Sequence, residues 1–167
     1  LSASPLSNTT YTVNGTSSAG CIGTPTTAII TVGAAPSIAL SSVSVCAGST
    51  ATLVASGVTT YTWNTGANTS SIAVTPTINT TYTVNGNLAG CGVSATNTAS
   101  VTVNSKPTVT ANSGTICNGQ TFTIIPSGAI SYIYSSGSST VSPTTTTNYT
   151  VTGTDVNGCK NTAVSSI

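Results

Sequence analysis

The sequence has almost no charged side chains: Lys106, Lys160 and Asp155 are the only ones, and arginine, glutamate and histidine do not occur. Binding to nucleic acid depends on several Lys or Arg side chains that neutralise phosphates, so two lysines effectively exclude that function. A net charge of +1 also gives little repulsion between copies of the chain. This favours association over a dispersed monomer.

The lack of acids and bases also argues against catalysis. Glycoside hydrolysis requires a pair of carboxylates and a nucleophilic triad requires a base, whereas the chain has one aspartate and no histidine. No glycine-rich phosphate loop precedes a helical pattern. We therefore expect no enzyme, no catalytic residue and no bound cofactor.

Long apolar runs are missing as well. A run such as residues 28–30 is far too short to cross a bilayer, so no membrane insertion is expected. The first residues have neither the basic nor the apolar region of a signal peptide. Any secretion signal is expected to lie outside this sequence.

What the sequence does contain is an internal repeat. The motif NTTYTVNG at residues 8–15 recurs identically at residues 79–86 and more loosely at residues 146–153. Its tyrosines, Tyr11, Tyr82 and Tyr149, are offset by 71 and then 67 residues. A fixed period of this size is typical of an array of small structural units.

The other landmarks define where each repeat begins. A Cys-x-Gly pattern at Cys46 and Cys117, each followed by a Tyr-x-Trp or Tyr-x-Tyr pattern, occurs only after residue 33. We interpret residues 1–33 as the C-terminal half of a repeat, and residues 36–104 and 107–167 as complete repeats. The joints between them are short and contain proline, which predicts semi-rigid connections.

Within a repeat, short runs rich in Thr and Val alternate apolar and polar residues, and Gly, Asn, Ser and Pro separate them. This pattern is typical of antiparallel β-sandwiches, and no segment has helical periodicity. In the middle repeat we expect strands near residues 38–43, 50–55, 60–64, 71–75, 81–85 and 98–103. The predicted core comprises Leu53, Tyr61, Trp63, Ile72, Val74, Tyr82, Val84, Val101 and Val103.

Together these motifs resemble a known family of repeats. The order Cys-x-Gly, Tyr-x-Trp, Pro, Thr-Tyr-Thr-Val and Gly-Cys is similar to the Ig-like and PKD-like repeats of very large secreted and surface proteins of Bacteroidota-type bacteria. The resemblance implies an all-β fold of tandem immunoglobulin-like antiparallel sandwiches in a rod or fibre. It also implies a location at the cell surface or outside the cell, with roles in adhesion, motility or matrix.

This leads to two functional hypotheses. The first is a structural segment of an extracellular bacterial filament or adhesin stalk, whose partners are adjacent repeats or copies of the same chain. The alternative is an adhesive module that recognises a glycan or a protein. The sequence weakly opposes the alternative, because no repeat has an unusual aromatic cluster.

The tyrosines of the repeated motif also match a feature of immunoglobulin domains. Tyr82 precedes Val84 as the tyrosine of an immunoglobulin tyrosine corner precedes the second cysteine. We therefore interpret Tyr82, Tyr11 and Tyr149 as tyrosine corners, with the central cysteine absent.

Five cysteines lie at positions fixed by the repeat. We expect a disulfide within each complete repeat, Cys46 with Cys91 and Cys117 with Cys159, which leaves Cys21 unpaired or with a partner outside the chain. A metal site is less favoured, because zinc commonly requires close Cys or His pairs and none is present. Disulfides predict an oxidising, extracellular compartment.

Two further residues have alternative interpretations. Trp63 could stack on a sugar, but a single Trp at this strand is more often a core residue. Asp155 begins a sequence like part of a calcium loop, but a single carboxylate cannot form a typical site. A plain turn is the better interpretation.

The incomplete repeat has an exposed apolar face. Because Leu1 aligns with Ile72, residues 1–32 contain only the last three strands of a sandwich and should not stand alone. Either the sequence is a window cut from a longer array, which we favour, or a neighbouring copy supplies the missing strands.

Overall fold

The computed structural model describes residues 2–90 and 92–167, so Leu1 and Cys91 lie outside the description. Within these ranges the chain contains no helix, and hence none long and apolar enough to cross a membrane. The predicted all-β fold is confirmed. The strands are β1 (Thr9–Val13), β2 (Thr26–Ile30), β3 (Val43–Cys46), β4 (Ala51–Val54), β5 (Thr60–Trp63), β6 (Ser71–Val74), β7 (Thr80–Asn87), β8 (Ser94–Asn104), β9 (Thr110–Ala111), β10 (Phe122–Thr123), β11 (Pro126–Ser127), β12 (Ser131–Tyr134), β13 (Thr140–Val141), β14 (Asn148–Thr154) and β15 (Lys160–Ser166).

The first two strands form an antiparallel hairpin with little burial. β1 pairs with β2 from Thr9 opposite Ile30 to Val13 opposite Thr26. Every residue of β2 is exposed, and Leu6 just before the hairpin is 98% exposed. The hairpin therefore has no hydrophobic core of its own.

The strands β3 to β8 form an immunoglobulin-like β-sandwich. One sheet has the order β3-β8-β7-β5, and the other consists of β4 and β6. β3 runs parallel to β8, whereas the remaining pairs are antiparallel. The chain crosses repeatedly from one sheet to the other, and this crossing closes the sandwich around a shared core.

The core of this sandwich follows the alternation of the sequence. Leu53 and Ile72 point inward from one sheet, and Trp63, Val84 and Val101 do so from the other. Each lies in a strand in which buried and exposed residues alternate, because successive side chains of a strand point to opposite faces. Of the other predicted core residues, Tyr82 is buried, and the half-buried ones are Tyr61, Val74 and Val103.

Residues 107–167 repeat the arrangement with shorter strands. The main sheet has the order β12-β14-β15, and β10 pairs with β13 on the other side of the core. The core is built around Ile124, Val141 and Val151. It is separate from the core of residues 36–104, since no residue belongs to both clusters.

The prediction for the first strand of the middle repeat is wrong. A strand was expected at residues 38–43, but the regular strand there is β3, which begins at Val43. Ahead of it, Ala39 forms only an isolated bridge with Ser56. The reason is that the chain changes sheets between these points, and alternation of side chains does not reveal such a crossing.

Candidate functional site

The chemically distinctive part of the chain is the junction between the two sandwiches. Cys46 ends β3 and begins a tight turn, in which the backbone N–H of Ser49 donates to the carbonyl oxygen of Cys46 at 2.9 Å. Between them Gly48 has φ of 77°, a left-handed conformation that glycine adopts without steric cost. This turn lies beside the end of β8, because the N–H of Ala47 donates to the carbonyl oxygen of Asn104 at 2.8 Å.

The other side of the junction is the turn between β14 and β15. Asp155 organises it: its Oδ1 accepts from the backbone N–H groups of Asn157 at 2.9 Å and Cys159 at 2.8 Å. The N–H of Gly158 donates to the carbonyl oxygen of Asp155 at 3.1 Å and closes the turn. Asp155 is thus a turn-forming residue, as the sequence indicated.

A disulfide between Cys46 and Cys159 joins these two turns. Their Cα atoms lie 5.5 Å apart, within the usual range for a disulfide, and the sequence separation is 113 residues. The side chain of Cys159 is fully buried, with 0% exposure. The two sandwiches therefore have two covalent connections, the backbone at residues 104–107 and this bond.

Hydrogen bonds fix both ends of the backbone connection. On one side, the side-chain amide of Asn104 donates to Ser44 Oγ at 2.9 Å. On the other, the side-chain amide of Asn161 donates to the carbonyl oxygen of Pro107 at 2.9 Å, and Pro107 is buried. Each end of the joint is therefore anchored to its own sandwich.

The few charges of the chain are concentrated here. Lys106 lies in the joint, Lys160 follows the bonded Cys159, and Asp155 begins its turn. Both lysines are exposed and Asp155 is half-buried. The remainder of the chain has no other charged side chain, so its surfaces are uncharged and rich in Thr and Ser.

The observed bond corrects the predicted pairing of cysteines. Cys46 pairs with Cys159, not with Cys91, and Cys117 is free and exposed, not bonded to Cys159. Cys21 is also free and exposed. Cys91 lies outside the described residues.

The reason for the error is the direction of the strands. Cys46 is paired with Asn104 at the end of β8, whereas Cys91 precedes the start of β8 at Ser94. β8 has 11 residues. At about 3.3 Å each the two ends are roughly 33 Å apart, far beyond the reach of a disulfide. The turn of Cys46 thus lies at the opposite end of β8 from Ser94.

Trp63 is a core residue. It is 2% exposed, and its indole N–H donates to the carbonyl oxygen of Thr69 at 2.8 Å. A buried indole is not available to stack on a sugar. Among the described residues every aromatic side chain is buried or half-buried.

The tyrosine-corner interpretation is not supported. In the part of the chain that the structure describes, the hydroxyls of Tyr11, Tyr82 and Tyr149 make no hydrogen bond to the backbone. The loop-anchoring bond belongs instead to Tyr61, whose hydroxyl donates to the carbonyl oxygen of Val58 at 3.0 Å, and to Tyr132. In the sequence, these two tyrosines are marked by the Tyr-x-Trp motif at Tyr61 and the Tyr-x-Tyr motif at Tyr132.

No metal centre is formed by the described cysteines and acids: they include no group of three or more His, Cys, Asp or Glu side chains placed to hold an ion. The patterns in the sequence did not single out Asn104, Pro107 and Asn161, which fix the joint. Their types are common in loops, so only their positions in space mark them.

The sequence matches no protein-family model and no curated protein. Among solved structures, the chain is similar to the titin domains Z1Z2 in complex with telethonin, with 18% identity over 76% of this chain and 91% of that chain and a TM-score of 0.32. It is also similar to a 1.5-MDa bacterial ice-binding adhesin, with 18% identity over 94% of this chain and 72% of that chain and a TM-score of 0.44. Sidekick-1 immunoglobulin domains 1–4 are 14% identical over 95% of this chain and 57% of that chain, with a TM-score of 0.37. The assignment of the sandwich rests on the strand order described above.

Proposed function

We propose that the chain is a load-bearing segment of an extracellular bacterial filament or adhesin stalk, in which immunoglobulin-like repeats stand in series. The observation that carries this proposal is the Cys46–Cys159 bond across the joint between residues 36–104 and 107–167. A domain that only folds has no need of a covalent link to its neighbour. A segment that transmits force benefits from one, because the link limits bending and extension at the joint.

The bond also changes which part of the chain bears tension. When the two ends are pulled, force passes from Cys46 through the two sulfur atoms to Cys159, so the 113-position stretch between them is bypassed. All strands from β4 to β14 lie in that stretch. Most of both sandwiches is therefore protected from forced unfolding while the bond is intact.

Composition and redox chemistry support an extracellular location. Structural disulfides persist in oxidising compartments and are rare in the cytoplasm of most organisms. With two lysines and one aspartate, cohesion depends little on ionic strength, because there is little charge to screen. Both properties suit a fibre exposed to changing surroundings.

Single-molecule force spectroscopy on the full chain, held by handles at both termini, tests the proposal. Oxidised chain should extend only by the residues outside the bond. With a reducing agent, or in Cys46→Ser, the extension should increase by on the order of 380 Å, the extended length of the bypassed stretch. Cys117→Ser is the matched control, since Cys117 is free. Equal extensions of oxidised and reduced chain would contradict a load-bearing role of the bond.

The adhesive alternative is tested separately by binding of the full chain to a glycan array. No exposed aromatic side chain favours it among the residues described. Specific binding there would assign a recognition function in place of, or in addition to, the mechanical one.

A further inference from the structure

Cys117 lies in a copy of the turn that holds Cys46. The carbonyl oxygen of Cys117 accepts from the backbone N–H of Gln120 at 2.9 Å, as that of Cys46 accepts from Ser49 at 2.9 Å. The third residue of each turn is a glycine, with φ of 74° and 77° respectively. The backbone therefore presents both thiols in the same way, but Cys117 is exposed and free.

Cys21 lies in a copy of the turn that holds Cys159. The backbone N–H of Ser17 donates to the carbonyl oxygen of Cys21 at 2.9 Å, as that of Asp155 donates to Cys159 at 3.0 Å. The N–H of Cys21 in turn donates to Ser17 Oγ at 3.1 Å, as that of Cys159 donates to Asp155 Oδ1 at 2.8 Å. In both turns the glycine before the cysteine donates to the carbonyl oxygen of Ser17 or Asp155. Ser17 and Asp155 are different residue types, but each takes part in these three bonds of its turn.

The two free thiols thus belong to the two types of turn that the observed disulfide joins. We propose that Cys117 forms a disulfide with the hairpin-turn cysteine of another repeat of this kind, and that Cys21 forms one with the Cys46-type cysteine of another repeat. Each repeat in the array is then bonded to both neighbours. This proposal depends on the proposed function, because it requires that further repeats lie next to this chain.

The partner of Cys117 has one chemistry and two possible sources. It is a cysteine after a glycine in a β-hairpin turn, presented as Cys159 is. This partner cysteine is either the hairpin-turn cysteine of a following repeat in a longer chain or Cys21 of a second copy of this chain. The experiment below has one arm for each source.

The bond requires an oxidant, for which we name a disulfide of the extracellular compartment; oxidised glutathione serves in the test. The thiolate of Cys117 attacks one sulfur of oxidised glutathione, forms a mixed disulfide and releases one glutathione thiolate. The thiolate of the partner cysteine then attacks the Cys117 sulfur and releases the second. Two cysteine thiols lose two protons and two electrons, and one glutathione disulfide is reduced to two glutathione thiols.

The surroundings of Cys117 and of Cys46 differ in one respect. A cavity of about 600 Å³ lies beside Cys117, lined by residues on both sides of this cysteine and by residues 143–146. In the other sandwich the last residues of β8 occupy the corresponding place, paired with β3. In the sandwich that contains Cys117, the N–H of Gly114 donates to the carbonyl oxygen of Ser166 at 3.1 Å. This bond corresponds to the start of the pairing between β3 and β8.

The first arm tests pairing between copies. Full chain in a Cys91→Ser background, so that Cys21 and Cys117 are the free thiols, is incubated in glutathione redox buffer. Non-reducing electrophoresis should give a ladder, and peptide mass spectrometry should find Cys21–Cys117 links in several-fold excess over links between identical cysteines. Cys21→Ser and Cys117→Ser should each stop growth at the dimer, with Trp63 emission unchanged.

The second arm tests pairing along one chain. A second copy of residues 102–167 that carries Cys117→Ser is added after Ile167 of a chain with Cys21→Ser and Cys91→Ser, because Ile167 lies opposite Thr147 as Val101 lies opposite Thr80. The chain should stay monomeric, and Cys117 should become bonded to the added copy of Cys159 and lose its reaction with maleimide. Success in either arm identifies the source.

Two results overturn the proposal. One is a Cys117 that stays reactive with maleimide in both arms, and the other is random coupling with equal yields of all three links. Neither result depends on the force measurement, which addresses the Cys46–Cys159 bond alone. Failure of the array disulfide and failure of the mechanical function are therefore distinguishable.

Discussion

Cys46 and Cys159 are separated by 113 positions in the sequence, and their Cα atoms by 5.5 Å. In the chain-entropy model, closing a loop of this length stabilises the folded state by about 4–5 kcal/mol. The loop contains most of both sandwiches, so the bond links their stabilities as well as their positions.

The first prediction concerns this bond. Cys46→Ser should lower the free energy of unfolding by about 4–5 kcal/mol, because the unfolded chain regains the entropy of the open loop. Guanidinium denaturation under non-reducing conditions measures it. Cys117→Ser, in the copied turn, should leave the midpoint unchanged. A Cys46→Ser midpoint equal to that of the parent chain would contradict the observed pairing.

The second prediction concerns the core of residues 36–104. Trp63→Ala should destabilise the chain by about 3–5 kcal/mol, because it removes a buried indole and leaves a cavity. Thr62→Ala, at the exposed neighbour in β5, should change stability by less than about 0.5 kcal/mol. Circular dichroism during denaturation compares the two. A mild effect of Trp63→Ala would mean that the indole is not packed as described.

The third prediction uses the glycine that ends the repeated motif. A Cβ on Gly86 would lie 2.5 Å from the carbonyl oxygen of Thr60 and 2.5 Å from Val58 Cγ2, so Gly86→Ala should cost about 1–3 kcal/mol. Gly15 has the same position in the motif, but nothing lies within 4 Å. Gly15→Ala should therefore leave thermal stability unchanged.

The Gly15 control also bears on assembly. If the hairpin of residues 1–33 packs on other strands as β7 packs on its neighbours, a methyl group at Gly15 should weaken that packing. Light scattering of Gly15→Ala and parent chain at equal concentration measures the difference. Identical association of the two would argue against a partner that completes this half of the sandwich.

The fourth prediction concerns the turn that carries Cys159. Asp155→Ala removes the acceptor of two backbone N–H groups and should cost about 1–2 kcal/mol. Asp155→Ser should restore most of this loss, because Ser17 makes the corresponding bond with its hydroxyl. Hydrogen exchange at the amide of Cys159 should be faster in the alanine variant only. Equal exchange in all three chains would show that the side chain does not hold the turn.

Much of the fold could be predicted from local sequence. A strand was predicted near residues 81–85, within the middle copy of the motif NTTYTVNG, and β7 lies there. The strands β1 and β14 lie at the other two occurrences of the motif. Strand alternation also identified the inward-facing residues, such as Leu53 and Val84. The period-2 pattern is a property of neighbouring residues, so it can be read without knowing the partner strands.

The first strand of the middle repeat and the tyrosine-corner bonds could not be predicted in the same way. β3 pairs with β8, more than fifty positions later in the chain, and in parallel orientation. The choice between Tyr61 and Tyr82 as the loop anchor depends on which hydroxyl comes close to a free carbonyl. Both depend on distances between segments that the sequence does not contain.

The sequence by itself determined the all-β class, the repeat and the scarcity of charged side chains, because composition and periodicity are local properties. The tertiary structure alone decided the pairing of Cys46 with Cys159. A disulfide requires two Cα atoms within about 7 Å, and the length of β15 separates the turn of Cys159, at its start, from the segment of Cys117, beside its end. The turns of Cys46 and Cys159 belong to different sandwiches and meet beside the joint that connects them.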